Sequence, residues 1–133
     1  QMVLMLLAYM VFGVGIAVSI AKEMPRSEHY FLHVTGPIKE MDIALYKWLR
    51  TSPNSVVTIG KSINCTLQIT WDMQSNIAPL HAEIRLEHGV PRLYSVDGEL
   101  YYHNRVVPVG KRITLYHGDM FQIGLTHFRY LET

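Results

Sequence analysis

The reading of the fold rests on Val57 to Gly98. An apolar run enters Ile59-Gly60-Lys61-Ser62. Asn64-Cys65-Thr66-Leu67-Gln68-Ile69 and Leu80-His81-Ala82-Glu83-Ile84 follow, and the stretch closes on Ser95-Val96-Asp97-Gly98. Each piece is a short alternation of apolar and polar residues broken by Gly, Asn or Pro, the pattern of half-buried strands joined by turns. The polar residues gather in the turns, so recognition is expected at loops on one end of a β-sandwich.

Downstream of this stretch the alternation continues to the C-terminus, and upstream it begins at Tyr30. Strands are expected at Tyr30–Val34, Asp42–Leu49, Ser55–Ile59, Leu67–Thr70, Ala82–Leu86, Arg92–Ser95, Leu100–Tyr102, Val106–Val107, Arg112–Leu115, Met120–Ile123 and His127–Leu131. Turn signals separate them, among them Gly36-Pro37, Ser52-Pro53-Asn54, Asp97-Gly98 and Gly118-Asp119. The expectation is an all-β, two-sheet sandwich of about eleven short strands over residues 30–133. No amphipathic helix stands out, although Ile38–Arg50 also accommodates a short one. Along Leu100–Tyr102, the period of two places Leu100 and Tyr102 on one face and Tyr101 on the other. Exposed tyrosines of this kind suit a protein-binding face.

Met2 to Ala21 is an unbroken apolar run with no charge. As a helix it measures about 30 Å, the thickness of a bilayer hydrocarbon core. The expectation is therefore one transmembrane helix over residues 1–21, a polar linker over residues 22–29, and a single-pass membrane localisation. A cleaved signal peptide ending at Ser19-Ile20-Ala21 is the competing reading, but no basic residue precedes the run. Gly13, Ala17 and Ala21 repeat every four residues and offer a small-residue face for helix–helix self-association. Lys22 and Arg26 follow the span and favour a cytoplasmic sandwich.

Composition excludes several classes. The formal net charge of +1 gives no electrostatic footprint for nucleic acid. The lone Cys65, read as a small buried strand residue, allows no intrachain disulfide. None of the 7 histidines has a metal-ligand spacing, so neither metal nor cofactor is expected. No nucleophile elbow or phosphate-cradling loop is present, and no catalytic residue is assigned. Asn64-Cys65-Thr66 fits a glycosylation sequon, which matters only for an exported domain.

Four pieces in order resemble the forkhead-associated (FHA) domain, a phosphothreonine-reading β-sandwich. They are Ile59-Gly60-Lys61-Ser62, Ala78-Pro79-Leu80-His81-Ala82-Glu83-Ile84, Ser95-Val96-Asp97-Gly98, and Leu115-Tyr116-His117-Gly118-Asp119-Met120-Phe121-Gln122-Ile123-Gly124. The resemblance spans Tyr30 to Leu131. It implies a peptide or protein partner at the loop end, with Lys61, Ser62, Ala78, Ser95 and Asp97 at the ligand positions. It also implies that Gly60, His81, Gly98, Gly118 and Asp119 brace the architecture.

The chain departs from the family pattern at those ligand positions. Lys61 replaces an Arg and loses the planar two-pronged donor that matches phosphate. Ala78 replaces a Ser and offers no side-chain donor, and Pro79 replaces an Arg. Asp97 replaces an Asn, so an amide becomes an acceptor-only anion. A hydrogen bond to a charged group is worth about 1.5–3 kcal/mol, and Asp97 beside a dianion adds roughly 1 kcal/mol of repulsion. A micromolar complex amounts to only about 8 kcal/mol. Losing about 3–4 of these leaves near-millimolar binding. The expected function is a membrane-anchored interaction module that scaffolds a complex without reading phosphothreonine. The alternatives are a phosphothreonine adaptor using Lys61 and Ser62, and a structural domain of a larger membrane protein.

Overall fold

The computed structural model describes residues 29–51 and 53–133. The expected span over Met2–Ala21, with its Gly13, Ala17 and Ala21 face, and nearly all of the linker lie outside them. Among the described residues no helix is long and apolar enough to cross a membrane.

Eleven strands form two sheets. In chain order they are β1 (Tyr30–Thr35), β2 (Glu40–Ile43), β3 (Val56–Gly60), β4 (Leu67–Gln68), β5 (Ala82–Glu87), β6 (Val90–Ser95), β7 (Leu100–Tyr102), β8 (Arg105–Val107), β9 (Arg112–Thr114), β10 (Met120–Ile123) and β11 (Thr126–Glu132). The six-stranded sheet runs β2-β1-β11-β10-β7-β8 and the five-stranded sheet β4-β3-β5-β6-β9. All pairings are antiparallel except β3 with β4, where Ile59 lies opposite Leu67 and Gly60 opposite Gln68.

Alternation sets which face is buried. Tyr30, Leu32 and Val34 of β1 face Phe128 and Tyr130 of β11 and, across the sandwich, Ile59, Ile84 and Leu93. Phe121 and Phe128 stack at 4.7 Å between ring centroids, anchoring β10 to β11. Leu100 is buried, Tyr102 packs half-buried against the core, and Tyr101 lies on the outer face opposite Gln122 and Val106. Two hairpins close with two left-handed residues each, His88-Gly89 and His103-Asn104. Positive φ at both centres matches the twist of the flanking strands.

Two expectations need correction. The strand expected at Asp42–Leu49 stops at Ile43, and Leu45–Thr51 forms a helix, α1. Leu45 and Leu49, four apart, are both buried on one helical face. The segment holds Leu, Lys and Arg, which lose little rotamer freedom in a helix, and its one β-branched residue is the terminal Thr51. There Thr51 Oγ1 donates to the Lys47 carbonyl at 3.0 Å and lies 3.4 Å from the Trp48 carbonyl, one of the four the helix end leaves open. Cys65 lies in a turn and is only half-buried, its thiol directed at the Pro79 carbonyl at 3.1 Å.

Candidate functional site

The β3–β4 loop, the long connection from Ile69 to His81 and the β6–β7 turn converge at the end of the sandwich opposite His29 and Thr133. Gly60 is where the first two meet. A Cβ there would lie 2.2 Å from the Pro79 carbonyl oxygen, so only glycine permits the approach. Across this contact Lys61 N–H donates to the Ala78 carbonyl at 3.0 Å and Ser62 N–H to the Pro79 carbonyl at 3.1 Å. Gln68 Nε2 donates to the Lys61 carbonyl at 3.1 Å. The Ser62 hydroxyl oxygen accepts Asn64 N–H at 3.1 Å.

His81 ties the loops together. It is 1% exposed. Its Nδ1 accepts Ala78 N–H at 3.0 Å and its Nε2 lies 2.7 Å from the Glu99 carbonyl. An acceptor at Nδ1 and a donor at Nε2 describe one neutral imidazole tautomer. The His81 carbonyl accepts both Val96 N–H and Asp97 N–H at 3.1 Å. Gly98 packs on the ring at φ +74°, where a Cβ would fall 2.4 Å from His81 Cε1. Asp97 is exposed and spends Oδ1 on Gly98 N–H at 2.8 Å.

The five positions expected to meet a ligand therefore stand in different surroundings. Lys61 is exposed, and among the described residues its ammonium meets no carboxylate. Ser62 stands beside it with a hydroxyl hydrogen to offer. Ala78 contributes only backbone, already committed to Lys61 and His81. Ser95 is 2% exposed, and its hydroxyl faces the Val107 carbonyl at 3.4 Å inside the sandwich, not the loop surface. Gly118 and Asp119 are not in this cluster. They form the β9–β10 turn beside the C-terminal strand, where Asp119 Oδ2 accepts Tyr116 N–H at 2.8 Å and the Tyr102 hydroxyl at 2.9 Å. Burial, together with that carboxylate, pushes the Tyr102 phenol up to about 12.

Between the 69–81 connection and the β6–β7 turn lies a cleft of about 780 Å³, walled by Ser75, Asn76, Gly98, Glu99, Tyr101 and Gln122. Among the described residues its wall carries one carboxylate, Glu99, and no lysine or arginine. Glu99 accepts the Tyr101 hydroxyl at 3.0 Å.

Sequence reasoning missed what holds that connection down. Trp71 Nε1–H donates to Thr126 Oγ1 at 2.9 Å. Asp72, 1% exposed, accepts Gln74 N–H and Ser75 N–H at 3.1 Å and Leu125 N–H at 2.8 Å. Burial alone would raise its pKa, but these donors and the Ser75 hydroxyl outweigh it and hold the carboxyl below its ordinary range. The legible signal was Asp72-x-x-Ser75, an Asp capping its own turn. Its bond to Leu125, far along the chain, has no local signature.

Three loops thus gather round a buried histidine at one end of the β-sandwich. A family profile described as FHA domain matches residues 57–124, and the chain belongs to that family. No curated protein sequence matches it significantly. Among solved structures it is similar to Rad53 1-466 in complex with AMP-PNP, at 18% identity and TM-score 0.61, covering 79% of this chain and 30% of that one. It is similar to the N-terminal FHA domain of S. cerevisiae Rad53p in complex with a phosphothreonine peptide, at 18% identity and TM-score 0.58, covering 77% of this chain and 94% of that one. The FhaA FHA domain complexed with the intracellular domain of Rv3910 is a third, at 14% identity and TM-score 0.58, covering 76% and 98%. At these identities the likeness concerns the fold.

Proposed function

We propose that this chain is a non-enzymatic FHA interaction module, tethered to a membrane by Met2–Ala21 with its sandwich on the cytoplasmic side. It holds a protein partner at the loop end by shape and polar contacts, without reading phosphothreonine. The observation that carries this is the commitment of the loop donors. Lys61 and Ser62 have given their N–H groups to the neighbouring loop, and Ala78 has given its own to His81 within the same connection. Position 78 has no hydroxyl, and the Ser95 hydroxyl is buried. A phosphate at the loop tips would therefore find the Lys61 ammonium and the Ser62 hydroxyl, with Asp97 opposing it. A dianion transferred from water needs more donors than that to offset its desolvation. The complexes of similar FHA domains, with a phosphothreonine peptide in one and a protein domain in another, support a protein or peptide as the partner class.

The second reading, a phosphothreonine adaptor, draws on the exposure of Lys61 beside Ser62. Fluorescence anisotropy with a phosphothreonine peptide library separates the two. The proposal expects no saturable binding below about millimolar concentration. Micromolar binding that Lys61→Ala abolishes would establish the adaptor instead.

A further inference from the structure

Among the described residues one side of the sandwich is left open: β8 ends the six-stranded sheet and β9 the five-stranded one, and no described strand lies on the outer edge of either. Between these edges runs a groove of about 690 Å³. Val106, Val107, Pro108 and Ile113 make it largely apolar, and Arg105 and Lys111 stand along it. Val106 is 56% exposed, and Val109 beside it 60%.

The walls are fixed. Lys111 N–H donates to the Pro108 carbonyl at 3.1 Å and Gly110 N–H to the Ser95 carbonyl at 2.8 Å, while the Lys111 carbonyl accepts Ser95 N–H at 3.0 Å. The β8–β9 turn is thus stitched to the end of β6. Arg105 and Lys111 are exposed and meet no carboxylate among the described residues. Arg112, next along β9, is by contrast held by Glu87 at 3.3 Å.

We infer that this lateral groove docks an extended segment of a different protein in which apolar residues alternate with carboxylates. The alternation follows from strand geometry. An extended chain presents successive side chains to opposite sides, so one set enters the apolar groove and the other meets the cations. Charge complementarity selects the partner. A second copy of this chain, docked edge to edge, would bring the same two cations, Arg105 and Lys111, to the shared seam from both sides with no described carboxylate of the groove wall to pair them. A bilayer is flat and does not fill a groove between two sheet edges. The apical loops take no part, so the inference stands apart from the proposed function.

The test uses the full chain and two fluorescein-labelled peptides, Asp-Val-Glu-Leu-Asp-Val-Glu-Leu and its counterpart with lysine at every acidic position. The acidic peptide is expected to bind saturably, and the lysine peptide at least about tenfold more weakly. In the Arg105→Glu/Lys111→Glu variant that preference reverses, with an unchanged circular dichroism spectrum. Lys61→Ala leaves both affinities as they were. Absence of saturable binding overturns the inference, as does equal binding of the two peptides or indifference to the charge reversal. So does displacement of the acidic peptide by anionic phospholipid vesicles but not by neutral ones, which would assign the groove to a membrane surface.

Discussion

If the loop end has lost phosphate reading through a few side chains on an intact scaffold, restoring them should restore the activity. The perturbation is Lys61→Arg/Ala78→Ser/Asp97→Asn. Position 78 is held opposite Lys61 by the 3.0 Å bond from Lys61 N–H to the Ala78 carbonyl, so a hydroxyl there stands beside the guanidinium of the first change. Asp97→Asn is nearly isosteric. Its Oδ1 goes on accepting Gly98 N–H, now 2.8 Å away, while the second position turns from acceptor into donor. The new donors contribute about 1.5–3 kcal/mol each to a charged partner, and removing the carboxylate lifts roughly 1 kcal/mol of repulsion. Allowing for side chains that must be ordered, the net gain is about 3–4 kcal/mol, or about 10²–10³-fold in affinity. Isothermal titration with a phosphothreonine peptide and its unphosphorylated twin measures it. A folded triple variant that binds phosphopeptide no better than the wild type would refute the reasoning, because it would locate the deficit outside these positions.

Further predictions concern what holds the loops. His81→Ala removes the partner of Ala78 N–H and of the Glu99 carbonyl in a site 1% exposed, and should cost about 2–4 kcal/mol; urea unfolding reads the loss. Asp72→Asn sets an amide N–H against one of the N–H donors that the carboxylate now satisfies, at an expected cost of about 3 kcal/mol. The wild-type carboxyl titrates below its ordinary value of 3.8, so its contribution is complete above about pH 5 and is lost as the pH falls through the lower folded value. The stability difference between wild type and Asp72→Asn should shrink correspondingly between pH 5 and pH 2, a trend that thermal melts check.

The sandwich was legible because one sheet face is buried and the other wet, so Leu32 and Val34 in β1, and Ala82 and Ile84 in β5, recur with a period of two. Helix α1 was not. Over seven residues the spacing of Leu45 and Leu49 satisfies strand and helix alike, and packing on the core decided it. At the site, the departures at Lys61, Ala78 and Asp97 could be read directly, since they are changes of chemical type within a recognisable motif. Ser95 could not, because its burial depends on where β8 lies. The anchoring of the long connection by Trp71 and Asp72 joins residues far apart in sequence. Hydrogen bonds of that reach leave no local pattern.

The account turns on whether wild-type loops clamp a phosphate. An amide-resolved NMR titration of the full chain with a phosphothreonine peptide pool addresses this most directly. The account predicts that the resonances of Lys61, Ser62, Asp97 and Gly98 move no more with the phosphorylated pool than with its unphosphorylated counterpart. Saturating, phosphate-dependent shifts at those four residues would contradict it.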